Sequence, residues 1–408
     1  MLRWIIFILI YVAIDIYAFQ AVRTITKNQW IHGAYVTFSV LILGMLIYQL
    51  SYGAPDRSMN PWRMYTFGIF LALFIPKLFL VVLMFGEDII RLFAGLFSKL
   101  GGNEEGFYIP SRRKFVSTIA LGIAAIPFGS LLIGMFKGKY NYKVLTYALE
   151  FDDLPEAFDG YKITQISDVH SGSFDNEEKV AYGVDLINQQ QSDVILFTGD
   201  LVNNMTSEMT RWKSLFGTLK AKDGVFSVLG NHDYGEYMQW ESIAAKEKNL
   251  EDLKTLQKDM GWDLLLNEHR TLERNGEQIK LIGVENWGQG FKQAGDLAKA
   301  SLGIVKTDFK VLMSHDPTHW KEEVKGSDLN YHLTLSGHTH GMQYGIEIPG
   351  WIKWSPAKFR YEHWAGVYEE LGRYINVNRG FGFIGYPGRV GIWPEVTVIE
   401  LKKRRDTA

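Results

Sequence analysis

The chain has no cysteine. That absence excludes disulfide frameworks and thiolate-held metals, and it leaves oxidising and reducing compartments equally open. Excess charge is absent too: 43 basic and 45 acidic side chains leave a formal net charge of −2. No signature of a nucleic-acid partner follows from that balance. Internal repeats and low-complexity segments are also missing. What the chain does have is uninterrupted apolar sequence, nearly all of it before residue 137. Its 408 residues exceed one average domain and suffice for a sizeable core.

Four apolar stretches stand out: Leu2–Val22, Ala34–Leu50, Met64 to about Phe85, and Phe115–Phe136. Each has roughly the 17–25 residues that cross a hydrocarbon core as a helix. The first lacks a cleavage pattern and is soon followed by another, unlike a removed signal peptide. Asp15 and Lys77 lie within spans, where an ionisable group is costly unless paired. They are expected to pair with each other, or Lys77 to snorkel to the interface. Four spans put the N-terminus and the C-terminal region on one side of an inner or plasma membrane. Six basic residues flank the spans on one side and seven on the other, so the positive-inside rule does not choose the orientation. Ser111-Arg112-Arg113-Lys114-Phe115-Val116 resembles a twin-arginine export signal. That reading places residues 138–408 outside the cytoplasm; an ordinary basic flank on a cytoplasmic loop is the alternative.

The expected organisation is a transmembrane region over 1–137, a short linker over 138–144, a folded domain over 145–403 and a basic tail over 404–408. At about 3.3–3.6 Å per extended residue the linker reaches only about 20 Å, which would keep the domain near the bilayer. The tail is expected to be solvated, with contact to anionic lipid headgroups as the alternative.

Within the folded domain, apolar β-prone runs read as buried strands: Lys162–Ile166, Asp193–Phe197, Gly224–Leu229, Gln278–Val284, Lys310–Met313, His332–Leu335, Arg373–Val377 and Glu395–Leu401. Helical patterns over Glu177–Gln190 and Trp240–Met260 lie between them. The alternation predicts an α/β domain of packed sheets with outer helices. Polar motifs directly follow five of the runs. They are Asp168 and His170; Asp200; Asn231 with His232 and Asp233; His315; and His338 with His340. Ligand-binding groups gather beyond the carboxyl ends of strands in such sheets. The five histidines with Asp168, Asp200 and Asn231 would be costly to desolvate together without a cation. Mixed imidazole and carboxylate ligation suits Mn, Fe or Zn. The set is too large for one tetrahedral ion and suits two ions about 3.5–4 Å apart.

The ordered set Asp-x-His, Gly-Asp, Gly-Asn-His-Asp, Ser-His and Gly-His-x-His resembles the calcineurin-like metallophosphoesterases over about residues 145–401. The membrane-anchored bacterial members look most similar, including at Asn378-Arg379-Gly380 and Pro394-Glu395. The resemblance implies a four-layer α/β/β/α sandwich preceded by about four transmembrane helices. It implies two divalent or mixed-valence ions, with Asp168, His170 and His340 on the first, Asn231, His315 and His338 on the second, and Asp200 between them. A bridging hydroxide would attack phosphorus. His232 would stabilise the phosphoryl group and protonate the leaving oxygen, and Asp233 would orient its ring. The family often has an aspartate three residues after the Gly-Asp aspartate, where this chain has Asn203; an amide supplies no negative charge there.

Arg379 and Arg389 in the late Gly-rich loop are expected to meet substrate phosphate. His269, His319, His332 and His363 are expected to be structural. Trp351, Trp354 and Trp364, with Phe359 and Tyr361, follow Pro349 in an aromatic segment; it reads as a headgroup contact lining the way in for a lipid-like phosphoester, or as a roof over the site. The expected activity is hydrolysis of a phosphodiester, pyrophosphate or phosphomonoester, lipid-linked or membrane-proximal. Two alternatives are a UDP-diacylglucosamine-type pyrophosphatase, which requires a cytoplasmic site, and a non-catalytic metal-responsive receptor or scaffold. Oligomeric state is not legible.

Overall fold

The structure, a computed structural model, describes residues 2–52, 61–100, 110–348 and 350–405. Pro349 and tail residues 406–408 lie outside the described residues, as does the side chain of Ser111. Two compact units result: one of residues up to 53 and Tyr65–Met135, the other of residues 54–64 and those from Phe136 on.

Four long helices make up the first unit: α1 (Leu2–Ile25), α2 (Gln29–Tyr52), α3 (Pro61–Leu100) and α4 (Pro110–Phe136). All four are long and apolar enough to cross a membrane. The third runs well past the span expected from sequence. Gly86-Glu87-Asp88 ends the apolar run, but no capping residue stops the helix there. Asp88 instead pairs with Arg91 one turn on, at 2.6 Å, and with Arg113 of α4 at 3.2 Å. Arg112 approaches Glu87 at 3.8 Å. Both arginines of the export-like motif thus join α4 to α3. Lys77 meets Asp15 at 2.5 Å and also reaches the Ser39 hydroxyl, so one cation ties together α1, α2 and α3.

Among the described residues the second unit has fourteen strands: β1 (Lys143–Phe151), β2 (Lys162–Ile166), β3 (Val194–Phe197), β4 (Val225–Ser227), β5 (Asp263–Leu264), β6 (Glu268–Arg274), β7 (Glu277–Gly283), β8 (Lys310–Met313), β9 (Leu333–Ser336), β10 (Ile346–Ile348), β11 (Ile352–Trp354), β12 (Gly366–Glu370), β13 (Arg373–Val377) and β14 (Glu395–Lys403). One sheet has the order β1-β14-β2-β3-β4-β5 and the other β12-β13-β9-β8-β7-β6, with β10-β11 as a separate hairpin. Strand alternation builds the layers. Val194 and Leu196 of β3 face a core shared with Leu281, Val311 and Leu333 of the second sheet. Ile195 and Phe197 face the other way, onto Val184 of α5 (Glu177–Asn188) and Leu253 of a helix over Ile243–Asp259. Behind the second sheet, Leu312 and Ile375 meet Trp320 and Val324. The result is helix, sheet, sheet, helix. Asn176 and Ser242 cap the two long helices by accepting the amides of Lys179 and Ala245.

β2, β3 and β4 run parallel, as do β7, β8 and β9. Their carboxyl ends form one rim, and the motifs sit there. The hairpin β10-β11 and strands β5, β6 and β12 go beyond what apolar runs signalled, because their residues are half-exposed and mixed in polarity.

Candidate metal centre

The strand ends turn sharply. Asp168, His170, Asp200, His338 and His340 all adopt positive φ, between 47° and 71°. Left-handed backbone at a non-glycine residue costs about 1–3 kcal/mol and persists only where the surroundings over-determine it. Five such residues at one rim mark a functional site. Glycines make the turns fit. A Cβ on Gly337 would collide with the Asp168 carboxylate, and one on Gly230 with that of Asp200.

Two groups of donor atoms result, each within 4.8 Å: Asp168, His170 and His340; and Asp200, His315 and His338. In the first, His340 Nε2 lies 3.1 Å from Asp168 Oδ1 and 3.0 Å from His170 Nε2. In the second, His315 Nε2 lies 3.1 Å from Asp200 Oδ2 and 3.3 Å from His338 Nδ1. Asp200 Oδ2 is also 3.6 Å from His170 Nε2, so one carboxylate oxygen faces both groups. Asn231 Oδ1 is buried with no hydrogen-bond partner, and His170 Nδ1 likewise. The orphaned amide oxygen of Asn231 on this rim fits cation binding, as does the donor set.

The electrostatics fit as well. Burial pushes His170, His232 and His338 below the usual imidazole range. Burial works against ionised Asp200, but His315 and His232 outweigh it and hold that carboxyl well below its ordinary value. Burial likewise opposes a charge on His315, yet Asp200 lifts its pKa to about 10.

Outer contacts orient the rings. His315 Nδ1 donates to the Thr198 carbonyl at 2.7 Å, leaving Nε2 for a ligand role. His232 Nδ1 donates to the Asn203 carbonyl at 2.8 Å. Asp233 does not hold that ring, contrary to expectation: its carboxylate accepts the amides of Gly230, Asp200, Leu201 and Val202. Those four donors fold the Gly-Asp and Gly-Asn-His-Asp turns onto each other, which uses up the side chain. Asn203 bonds Ser173 through its side chain, and Glu208 accepts the amides of Asn203, Asn204 and Met205. Glu208 had no signal in sequence.

A cavity of about 440 Å³ opens on this rim, lined by His170, Asp200, Asn231, His232, His338 and His340 among others. Arg379 and Arg389 do not line it, which corrects their expected role. Arg379 is buried and paired with Glu395 and Glu347. Arg389, fully buried, donates to the carbonyls of Gly380 and Gly382 and to His340 Nδ1. A Gly-rich loop suggests exposure; here acids and carbonyls close over both guanidinium groups. The cavity's cation is Arg360 instead, beside Tyr237, Phe291, Tyr361 and Tyr386. The four histidines expected to be structural have local partners: the Ala300 carbonyl for His269, Ser314 for His319, Asp153 for His332 and Glu370 for His363.

Residues 2–139 match the family described as "Probable Calcineurin-like phosphoesterase, transmembrane domain", and residues 161–342 match "Calcineurin-like phosphoesterase". Among similar proteins is the uncharacterized metallophosphoesterase YkuE of Bacillus subtilis, 29% identical over 302 residues, covering 72% of this chain and 98% of that one. A transmembrane protein with metallophosphoesterase domain from Danio rerio is 26% identical over 321 residues, covering 76% of this chain and 67% of its own. An uncharacterized metallophosphoesterase of Aquifex aeolicus is 26% identical over 281 residues, covering 67% of this chain and 98% of its own.

Proposed function

The chain belongs to the calcineurin-like metallophosphoesterases and is a membrane-borne, metal-dependent phosphoester hydrolase; on that premise we propose that it uses two metal ions to cleave a lipid-linked substrate. The observation that carries the two-ion reading is Asp200 Oδ2, which lies 3.6 Å from His170 and 3.1 Å from His315. Asp168, His170 and His340 would hold one ion, and Asn231, His315 and His338 the other. Bound ions of Mn, Fe or Zn type lower the pKa of a water and offset charge on phosphoryl oxygens. The chain's own share is orientation and proton handling. The Asn203 carbonyl fixes the His232 tautomer with its proton on Nδ1, so Nε2 is the nitrogen free to exchange a proton with substrate oxygen. Asp233 keeps the two turns in register.

An exposed apolar hairpin supports the lipid-linked reading. Ile346, Ile348, Trp351 and Ile352 of the β10-β11 segment are exposed, as is Phe359. Met342, also exposed, lines the cavity itself. Exposed Met342 at the cavity and the exposed apolar residues of the hairpin four positions on have a composition suited to a bilayer interface.

The test uses full-length protein in detergent, stripped and reloaded with Mn, Fe or Zn, and assayed on an aryl phosphodiester and an aryl phosphomonoester. Asp200→Asn is expected to lose metal and turnover together. His232→Ala is expected to keep metal and to lose about 10²–10⁴-fold in turnover. Undiminished, metal-independent turnover in Asp200→Asn would sink the two-ion reading.

A further inference from the structure

Arg360 is exposed, yet it is not a loose surface arginine. Its guanidinium lies 5.0 Å from the Phe291 ring and 5.4 Å from the Tyr361 ring. Both rings abut the donor cluster. Phe291 meets His338 edge-on at 4.7 Å, and the Tyr361 hydroxyl bonds His338 Nε2 at 2.9 Å. Arg360 lines the cavity, and no acid pairs with it among the described residues. The contrast with Arg379 and Arg389 is direct, because both of those are buried, Arg379 on Glu395 and Glu347 and Arg389 on the carbonyls of Gly380 and Gly382.

We propose that Arg360 is a second anion subsite, which reads a phosphate other than the one attacked, so that the substrate is a diphosphate ester. The proposal rests on the phosphoesterase reading of the same cavity and narrows its substrate class. An anion at the donor cluster is met by that cluster and His232. Arg360 sits one aromatic layer farther out, beyond His338, where the next phosphate of a P–O–P linkage would lie. Contact with two rings restrains the guanidinium before substrate arrives, so less side-chain freedom is lost on binding. Its N–H edge matches two phosphate oxygens at once.

The step balances without any further reagent. A water oxygen bonds to the inner phosphorus and the bond from that phosphorus to the bridging oxygen breaks. The electron pair stays on the departing phosphate monoester, whose charge Arg360 holds. The proton that the water gives up goes to solvent, His232 Nε2 hands one to the departing oxygen and is reprotonated from solvent, and two phosphate monoesters result.

The experiment measures inhibition of aryl phosphodiester turnover by methylenebisphosphonate and by methylphosphonate, with full-length metal-loaded protein and free metal held constant by a buffer. Wild type is expected to prefer the bisphosphonate by about tenfold or more, the scale of one charge-assisted contact pair. Arg360→Ala is expected to erase that preference by weakening bisphosphonate inhibition, and Arg360→Lys to restore part of it. A preference kept in Arg360→Ala, or equal inhibition of wild type by both compounds, overturns the subsite alone. Absence of any metal-dependent turnover in wild type would overturn the phosphoesterase reading, and the subsite with it.

Discussion

His332, at the start of β9, illustrates how one buried side chain couples stability to pH. Its Nδ1 accepts the Lys310 amide at 3.0 Å, its Nε2 meets Asp153 at 2.7 Å, and its ring stacks on Phe309. Burial lowers its pKa from the usual imidazole range, against the pull of Asp153. The folded ring therefore stays neutral at pH values where the unfolded ring, near pKa ~6.5, takes a proton. Below that value the unfolded chain binds more protons, so stability falls as pH falls through about 6.5. Acidification from about pH 7.5 to about 5.5 should lower the melting midpoint of wild type more than that of His332→Gln. Equal slopes would show that His332 does not titrate on unfolding.

At this scale the donor residues were legible because each lies within a few residues of its turn, directly after a strand. The supporting residues were not. Arg379 finds Glu395 sixteen positions away, and Asp233 spends its oxygens on amides thirty-odd positions upstream. Nothing in a Gly-rich stretch distinguishes a buried arginine from an exposed one, and Arg360 differs from its neighbours only in which rings fold against it.

Among the elements, α1, α2 and α3 share the Asp15–Lys77 pair. Removing one partner from a buried pair leaves an uncompensated charge and costs about 3–5 kcal/mol. Asp15→Asn and Lys77→Met should each destabilise the helix unit by about that amount, and the double variant by much less than their sum. Detergent-resistance or thermal-unfolding assays of the full chain would measure this; additive losses would mean that the pair is not coupled. The β10-β11 hairpin carries the lipid proposal. A chain without cysteine accepts a unique label, so Trp351→Cys with an environment-sensitive dye can be followed in lipid nanodiscs. Quenching by spin-labelled lipid is expected; a label as unquenched as one on exposed Glu251→Cys would remove the membrane contact. Sequence periodicity had no purchase on this hairpin, since three-residue strands are too short to show alternation, and it stopped α3 too early because charge was read as an end rather than as an ion-paired turn.

For the whole molecule, the export-like reading of Arg112 and Arg113 predicts an extracytoplasmic second unit, and the basic-flank alternative a cytoplasmic one. Lys306→Cys, at an exposed site, should react in intact cells with a thiol reagent that cannot cross the membrane. Reaction only after lysis would place the domain in the cytoplasm. The two-layered sheet architecture was legible from runs rich in Val, Ile and Leu, whereas strand order was not, because β14 pairs with strands more than two hundred residues before it.

That pairing has a consequence for synthesis. β14 inserts between β1 and β2, parallel to one and antiparallel to the other, so the first strand after the helices has no neighbour in its sheet until the last strand exists. While the ribosome is still translating, β1 is an unpaired edge. The domain can close only after the ribosome has delivered the segment around Glu395–Lys403.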